Sequence, residues 1–486
     1  MARSSKWMEA GLHADAQKKD AATHPATGIV HLGLGAFFRS FGCVYVADAM
    51  AASGGDWGII GVSLRSPDTR DALKARDWAY TSVSLAPEGE QLRDITVLND
   101  VLVAPEDPEA VLIAMTGPGV RIVTLTVTEK GYCHNPATGD LNFEHPDIQH
   151  DLSHDLPVSA PGFLVRALAR RKAAGTPPFT VLTCDNLPNN GRFVREMVIQ
   201  LAWRIDPKLA DWIAAEGRFP STMVDRITPA TTEADIARVS TLTGTRDAAP
   251  VLHEPFSQWA VEDDFVGGSR PDLEAAGAEL VADVTPHEDM KLRMLNGTHS
   301  ALAYTGYLVG HETIADTVAD LDFAAYVRAL WSEISPAVTA PQGVSLTEYA
   351  DCLMDRYANP AIRHRTWQIA MDGSQKLPQR LLGTVRDNLD AGRPVKGLCT
   401  AIAAWMRYVN GTDEAGQPID VRDPMAGRLR TLAQSQDDPA RIVASLLSVE
   451  DIFPADLAGR LQKPVSQAAA VIWQDCVRAA IKGSVR

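Results

Sequence analysis

The chain has 486 residues, 45% hydrophobic and 22% charged, with a formal net charge of −15, an ordinary globular composition long enough for two or three domains. So acidic a balance disfavours nucleic acid as a partner, because binding phosphates takes clustered Lys and Arg. The stretch Met1 to Ala10 has no apolar signal core and no apolar run approaches the roughly 20 residues that span a bilayer, so a cytoplasmic protein without a membrane partner is expected, as a monomer or small homo-oligomer.

Residues 1–27 are polar, rich in Lys, Asp and Ala, and read as an arm ahead of the folded chain. Ile29-Val-His-Leu-Gly33 is a short apolar run ending in glycine. Phe38 to Met50 then carries apolar residues at helical spacing, and Trp57-Gly-Ile-Ile-Gly-Val62 is again strand-like. The alternation continues with a helix near Pro108 to Met115, a strand Arg121 to Val127, a helix Gly162 to Ala173 and a strand Phe179 to Cys184. Such alternation favours a parallel sheet covered on both faces, here within residues 28–285. Beyond it, Ala/Leu/Arg/Asp-rich stretches at helical spacing predict a mainly α-helical region over 286–486.

Gly33-Leu-Gly35-Ala-Phe37-Phe38-Arg39 ends the first strand and opens a helix, the setting of a dinucleotide fingerprint. Its glycines allow a tight turn and let a pyrophosphate approach the helix N-terminus. The third fingerprint glycine is absent, with Phe38 in its place. Arg39 suits either a phosphate contact or a surface salt bridge. Asp68, in Leu64-Arg-Ser-Pro-Asp68, lies where an acidic residue accepts the adenosine ribose hydroxyls, and it suits a helix cap after Pro67 equally well. A carboxylate there disfavours a 2′-phosphate, so NAD is expected ahead of NADP, although Arg65 and Ser66 are residues of a kind that hold that phosphate. Gly33, Gly35, Phe37, Arg39 and Asp68 are the expected cofactor contacts.

Lys291-Leu-Arg-Met-Leu-Asn296-Gly-Thr-His299 carries an amine, an amide and an imidazole. At about 100° per residue, Asn296 lies about 140° and His299 about 80° around a helix from Lys291, so the three can line one wall of a pocket or stand solvated on a surface. Oxidising an alcohol needs a base for the hydroxyl proton and donors for the alkoxide-like oxygen. Lys291 serves as the base if its pKa drops from about 10.4 to about 7–8, roughly 4 kcal/mol of environment. Desolvation and the nearby Arg293 both act in that direction. Asn296 can donate to the oxyanion and His299 can orient a substrate hydroxyl. Asn186, in Cys184-Asp-Asn186-Leu-Pro188 after a predicted strand, suits a second oxyanion donor or an Asx turn.

Other chemistries lack their residues. None of the nine tyrosines has a lysine four positions later, as Tyr-x-x-x-Lys dehydrogenases require, and no Walker A loop is present. The six cysteines are scattered without a CxxC pair, and the His-Glu dipeptides at His253, His287 and His311 have no second histidine at zinc-helix spacing. No metal is expected.

Taken in order, the Gly33 loop, Thr124-Leu-Thr-Val-Thr-Glu129-Lys-Gly-Tyr132, Cys184 to Pro188, Met223-Val-Asp225-Arg-Ile-Thr-Pro229, Glu254-Pro-Phe and Lys291 to His299 resemble the polyol-specific long-chain dehydrogenases, the mannitol dehydrogenase family. The resemblance runs from about Gly28 nearly to the C-terminus. It implies an α/β N-terminal Rossmann-type dinucleotide-binding domain and a mainly α-helical C-terminal domain with substrate between them. It makes Lys291 the general acid/base and gives Asn186 and Asn296 the oxyanion role. It places His299, Asp225 and Lys376 at the substrate and Glu129 on a proton path to solvent.

Two positions depart from the family pattern: Phe38 stands where many members have histidine, and Gln368 where the similar mannitol dehydrogenases have a substrate-binding arginine. The run Arg363 to Arg380 looks more like the fructuronate reductase branch. The expected substrate is therefore a sugar acid, D-mannonate and D-fructuronate being the pair, with D-mannitol or D-arabinitol as the alternative. Arg293, Arg365 and Lys376 are candidates for holding the carboxylate.

Overall fold

The computed structural model describes residues 25–136 and 138–485, so the arm expected over 1–27 lies almost wholly outside the described residues. Between Thr285 and Pro286 the chain divides into two units.

The first unit holds eleven strands among the described residues: Thr27–Leu32 (β1), Gly58–Ser63 (β2), Tyr80–Ala86 (β3), Gly89–Ile95 (β4), Leu98–Val103 (β5), Ile122–Leu125 (β6), Thr180–Thr183 (β7), Thr222–Asp225 (β8), Val251–His253 (β9), Gln258–Glu262 (β10) and Glu279–Val281 (β11). Five form one parallel sheet in the order β5-β2-β1-β6-β7. Counted along the chain within that sheet the order is 3-2-1-4-5, that of doubly wound dinucleotide-binding sheets, and it reverses between β1 and β6. The two smaller sheets are β4-β3-β9 and β11-β10-β8.

Because side chains alternate along a strand, each central strand feeds two cores. Val30 and Leu32 pack with Val123, Leu125 and the helices Pro108–Thr116, Ala160–Ala173 and Asn190–Ile205. Ile29 packs on the opposite side with Ile59, Ile122, Leu182, Phe38, Phe41 and Tyr45. His31 shares that second face. It is fully buried, with Nδ1 2.8 Å from the Thr124 hydroxyl and Nε2 2.9 Å from that of Thr126, and its ring stacks on Phe38 at 3.4 Å between centroids.

The helix expected over Phe38 to Met50 is broken into Ala36–Ser40 and Gly42–Ser53, with Phe41 at φ −122° and ψ −81°. The Phe38 ring lies only 2.2 Å from where a Cβ on residue 42 would sit. Glycine at 42 thus makes room for the ring that covers His31.

In the second unit every regular element among the described residues is helical. Thr298–Leu308 is central: all its residues except Tyr307 are buried, and it packs against Thr366–Ala370 and Lys396–Val409. No helix among the described residues is long and apolar enough to cross a membrane.

Burial drives the pKa of His31 down from 6.5 to about 3 and that of His364 to about 4, and holds His253 and His299 well below the ordinary value. All four are neutral in the fold and protonate more readily when unfolded. Their contribution to stability is therefore complete above about pH 6.5 and is lost as pH falls through the window toward 3–4. The melting temperature is expected to fall steadily from pH 7 to pH 4, and His31→Gln to melt lower at pH 7 but with a shallower pH slope; scanning calorimetry across that range checks both.

Candidate active site

The turn after β1 is set by Gly33, whose φ of +92° belongs to glycine and whose notional Cβ would lie 2.3 Å from the Thr126 carbonyl oxygen. Its amide donates to the Val62 carbonyl at 2.9 Å, and its own carbonyl accepts from the Thr126 hydroxyl at 2.9 Å. His31, through Thr126, therefore braces the turn from beneath. At Gly35 a Cβ would meet nothing nearer than the Gly33 carbonyl oxygen at 3.8 Å, so the backbone there is open to close approach. Phe37 is partly buried and stacks on Phe41 at 5.1 Å. Asp68 is exposed in the first turn of helix Asp68–Lys74, just beyond the end of β2, and accepts from the Ser66 hydroxyl at 2.8 Å.

Arg39 does not serve as the expected phosphate contact. Its side chain turns inward, where Nη1 donates to the Ala249 carbonyl at 2.5 Å and the guanidinium lies 5.3 Å from the Tyr80 ring centre. The helix break at Phe41 leaves Arg39 in the last turn of a five-residue helix, facing the core.

The ends of β6, β7 and β8 are tied together by two residues whose importance the sequence did not reveal. The buried Asp185 carboxylate accepts from the amides of Val127 and Thr128, at 3.0 and 2.8 Å, and from the Tyr132 hydroxyl at 2.7 Å. It thereby holds Thr128 at φ +64°, an uncommon conformation for a β-branched residue. Glu129 follows on this loop, exposed, with Oε1 3.3 Å from His134 Nε2. Asn190 donates through Nδ2 to the carbonyls of Asp185 and Thr222 and accepts from the Thr222 amide, all at 2.9 Å. It locks the loop carrying the exposed Asn186 to β8, whose last residue is the buried Asp225, in register with Gln258. The only sequence signal was an Asp-Asn-Leu-Pro-Asn-Asn run after a strand.

In the second unit, Lys291–Gly297 is a π-helix between the α-helices Thr285–Met290 and Thr298–Leu308. The angles expected at α pitch are corrected accordingly: a π-turn takes more residues per turn, which brings Lys291 and Asn296 from about 140° apart to roughly 50° apart around the axis. Two backbone carbonyls of the widened turn find outside donors, Met294 from the Trp331 indole at 3.3 Å and Leu295 from the Tyr357 hydroxyl at 3.1 Å. A second π-helix, Pro378–Leu382, packs against the first. Their contact runs through Gly297, where a Cβ would lie 2.8 Å from the Arg380 carbonyl oxygen.

His299 is buried, with its ring 4.7 Å from that of Tyr357 and 5.1 Å from that of His364. Burial first, then the neighbouring His364, Arg356 and Arg380, keep it neutral, so it can give one hydrogen bond and accept one. Lys376 is partly buried and donates to the Ile369 carbonyl at 3.2 Å. Burial and then the Arg380 charge bring its pKa down from 10.5 to about 8.

Arg293 is a brace, which corrects its reading as a carboxylate-binding cation. Nε holds Asp289 at 2.5 Å, while Nη1 holds Asp387 and donates to the Ala337 carbonyl at 3.1 Å. With two carboxylates attached it brings no net positive charge to Lys291. Arg365 is exposed, its Nε 3.6 Å from Glu312, and Gln368 is exposed as well. Among the described residues, Cys133, His145 and Asp147 bring one metal-ligating atom each within 4.8 Å of one another. Burial first, then nearby carboxylates, push the Cys133 thiol up to about 12, which disfavours the thiolate that a metal would need.

The family descriptions that match this chain are the mannitol dehydrogenase Rossmann domain, over residues 27–275, and the mannitol dehydrogenase C-terminal domain, over residues 283–473. The chain is 49% identical over 438 residues to the uncharacterized oxidoreductase YdfI of Escherichia coli K12, covering 89% of each. It is 45% identical over 435 residues to the D-mannonate oxidoreductase of the same organism, covering 88% of this chain and 89% of that one. The solved structure of Pseudomonas fluorescens mannitol 2-dehydrogenase, a ternary complex with NAD and D-mannitol, superimposes with a TM-score of 0.82 at 36% identity over 94% of each chain.

Gly33→Ala is expected to destabilise the first unit by on the order of 2–4 kcal/mol, since the new Cβ meets both a forbidden φ and a backbone oxygen; denaturant titration measures it. Arg293→Met strands Asp289 and is expected to cost about 1–3 kcal/mol, with kcat/KM falling alike for charged and uncharged substrates. A fall confined to charged substrates would restore its reading as a ligand.

Proposed function

Since the chain belongs to the mannitol dehydrogenase family, oxidoreductases acting on secondary alcohols, we propose that it is an NAD-dependent, metal-independent dehydrogenase interconverting a sugar acid and its keto acid, with D-mannonate and D-fructuronate as the pair. The π-helix Lys291–Gly297, whose wider turn brings Lys291 and Asn296 toward one face, is the observation that carries the chemistry. An amine and an amide donor on the same face suit one oxygen, the first taking its proton and the second holding the charge that develops.

The residues of the first unit fit a dinucleotide. The Gly33 turn closes β1 beside the reversal of strand order, Gly35 leaves room for a diphosphate, and Asp68 offers an exposed carboxylate to ribose hydroxyls. The nicotinamide, when bound, supplies the hydride acceptor. We assign to Lys291 the removal of the substrate hydroxyl proton, and to the amides of Asn186 and Asn296 the donation of hydrogen bonds to the alkoxide-like oxygen. Glu129, with His134 beside it, passes the proton on to solvent. Asp225, His299 and Lys376 hold the remaining substrate groups.

The sugar-acid reading is supported by the 45% identity to D-mannonate oxidoreductase and by Gln368, which replaces the arginine expected for mannitol. The likeness to mannitol 2-dehydrogenase supports a polyol such as D-mannitol or D-arabinitol as the second reading.

One spectrophotometric panel tests both readings: NADH and NADPH formation with D-mannonate, D-mannitol and D-arabinitol. D-mannonate with NAD is expected to give the highest kcat/KM, and a polyol exceeding it would overturn the sugar-acid reading. Lys291→Ala is expected to lower kcat by roughly 10²–10⁴-fold, and normal turnover would remove lysine from the mechanism.

A further inference from the structure

We propose that Arg380, together with Lys376 and the Tyr304 hydroxyl, forms an anion-recognition site on the second unit that binds the carboxylate of a sugar-acid substrate, making Arg380 a specificity-determining residue. This deepens the sugar-acid reading and rests on it.

The argument begins with how Arg380 is held. Its carbonyl is clamped against Gly297, the last residue of the π-turn that carries Lys291 and Asn296. Its guanidinium reaches across to the following helix, where Nη1 donates to the Ser300 hydroxyl at 3.2 Å. Ser300 is a neutral partner, and among the described residues no carboxylate pairs with Arg380. The other arginines considered for this role differ in that respect: Arg293 holds two carboxylates and Arg365 lies against one.

Further donors stand beside it. Tyr304, one turn beyond Ser300, is fully buried and its hydroxyl has no hydrogen-bond partner. That hydroxyl would lie 2.7 Å from a Cβ on Gly373, which begins the short helix carrying Lys376. His364 Nδ1 is likewise buried without a partner. The charges of Arg356, Arg380 and Lys376 all bear on His364, and that of Arg380 on Lys376 and Tyr304. The carboxylates that face Lys376 are Asp372 and Asp423, and Asp423 is occupied by the Ser374 amide and hydroxyl, each at 2.7 Å.

A guanidinium without a carboxylate partner, beside a buried hydroxyl left unsatisfied, is what a bound anion would repair. A planar guanidinium flanked by an ammonium suits a carboxylate in particular. With Lys291 and Asn296 handling the reacting oxygen, Arg380 then fixes the acid end of the same substrate.

The test compares wild type, Arg380→Met, Arg380→Lys and Tyr304→Phe in steady-state oxidation of D-mannonate and D-mannitol with NAD, after melting curves establish that each is folded. Arg380→Met is expected to lose roughly 30- to 1,000-fold in kcat/KM for D-mannonate, chiefly through KM, and far less for D-mannitol. Arg380→Lys should fall between, and Tyr304→Phe should raise KM for the acid several-fold. Equal losses on both substrates in Arg380→Lys and Arg380→Met, or unchanged D-mannonate kinetics, would overturn the proposal. If wild type oxidises the polyol alone, the sugar-acid reading fails and D-mannonate is used as an inhibitor of mannitol oxidation. Inhibition that Arg380→Met abolishes keeps the anion site, and inhibition absent from wild type or equal in both removes it.

Discussion

Strand β1 has a parallel neighbour on each side and a hydrophobic core on each face, so everything it carries from Gly28 to Leu32 must be dry. Much of the first unit follows from that constraint. A histidine in such a strand has to be neutral and fully hydrogen-bonded, which His31 achieves through Thr124 and Thr126. The Phe38 ring seals it, Gly42 makes space for that ring, and the helix after the glycine turn breaks between the two, at Phe41. The same Thr126 hydroxyl then holds the Gly33 carbonyl. The turn that suits a diphosphate is thus an extension of the hydrogen bonding inside the sheet.

The second unit is governed by where charge is compensated. Arg293 is closed off by Asp289 and Asp387, and Glu333 by the backbone amides of Gly397 and Leu398. Arg380, by contrast, has the neutral Ser300 hydroxyl as its hydrogen-bond partner. Desolvation lowers the pKa of Arg380 and also that of Lys376, where Asp372 and Asp423 oppose it, and such perturbed groups cluster at sites that receive a ligand. The two π-turns pack on each other through Gly297 and the Arg380 carbonyl, and the Met294 and Leu295 carbonyls of the first accept from Trp331 and Tyr357.

The architecture was legible because periodicity reports it directly. Runs such as Ile29 to Leu32 and Ile122 to Leu125 alternate with amphipathic helices, and the composition shifts to helical spacing beyond residue 285. The family was legible for a different reason, since several short motifs occur in one order along the chain. The same reading missed the break at Phe41 and the π-turn at Lys291, because a ring filling the space over a glycine and a helix widened by one residue leave no trace in hydrophobic spacing.

What the sequence by itself determined is therefore the doubly wound sheet, the helical second unit, the glycine turn and the identity of the groups able to do alcohol chemistry, all of which depend on local pattern and residue type. Only the tertiary structure decided which cations are already spent. Arg39, Arg293 and Arg380 look equivalent along the chain. The first is consumed by the Ala249 carbonyl and the second by two carboxylates, while the third is left beside a serine and an unsatisfied tyrosine. Partners such as Ala249 and Asp387 lie 210 and 94 residues away. Compensation of charge is a matter of distance in space, and a pattern read along the chain does not contain it.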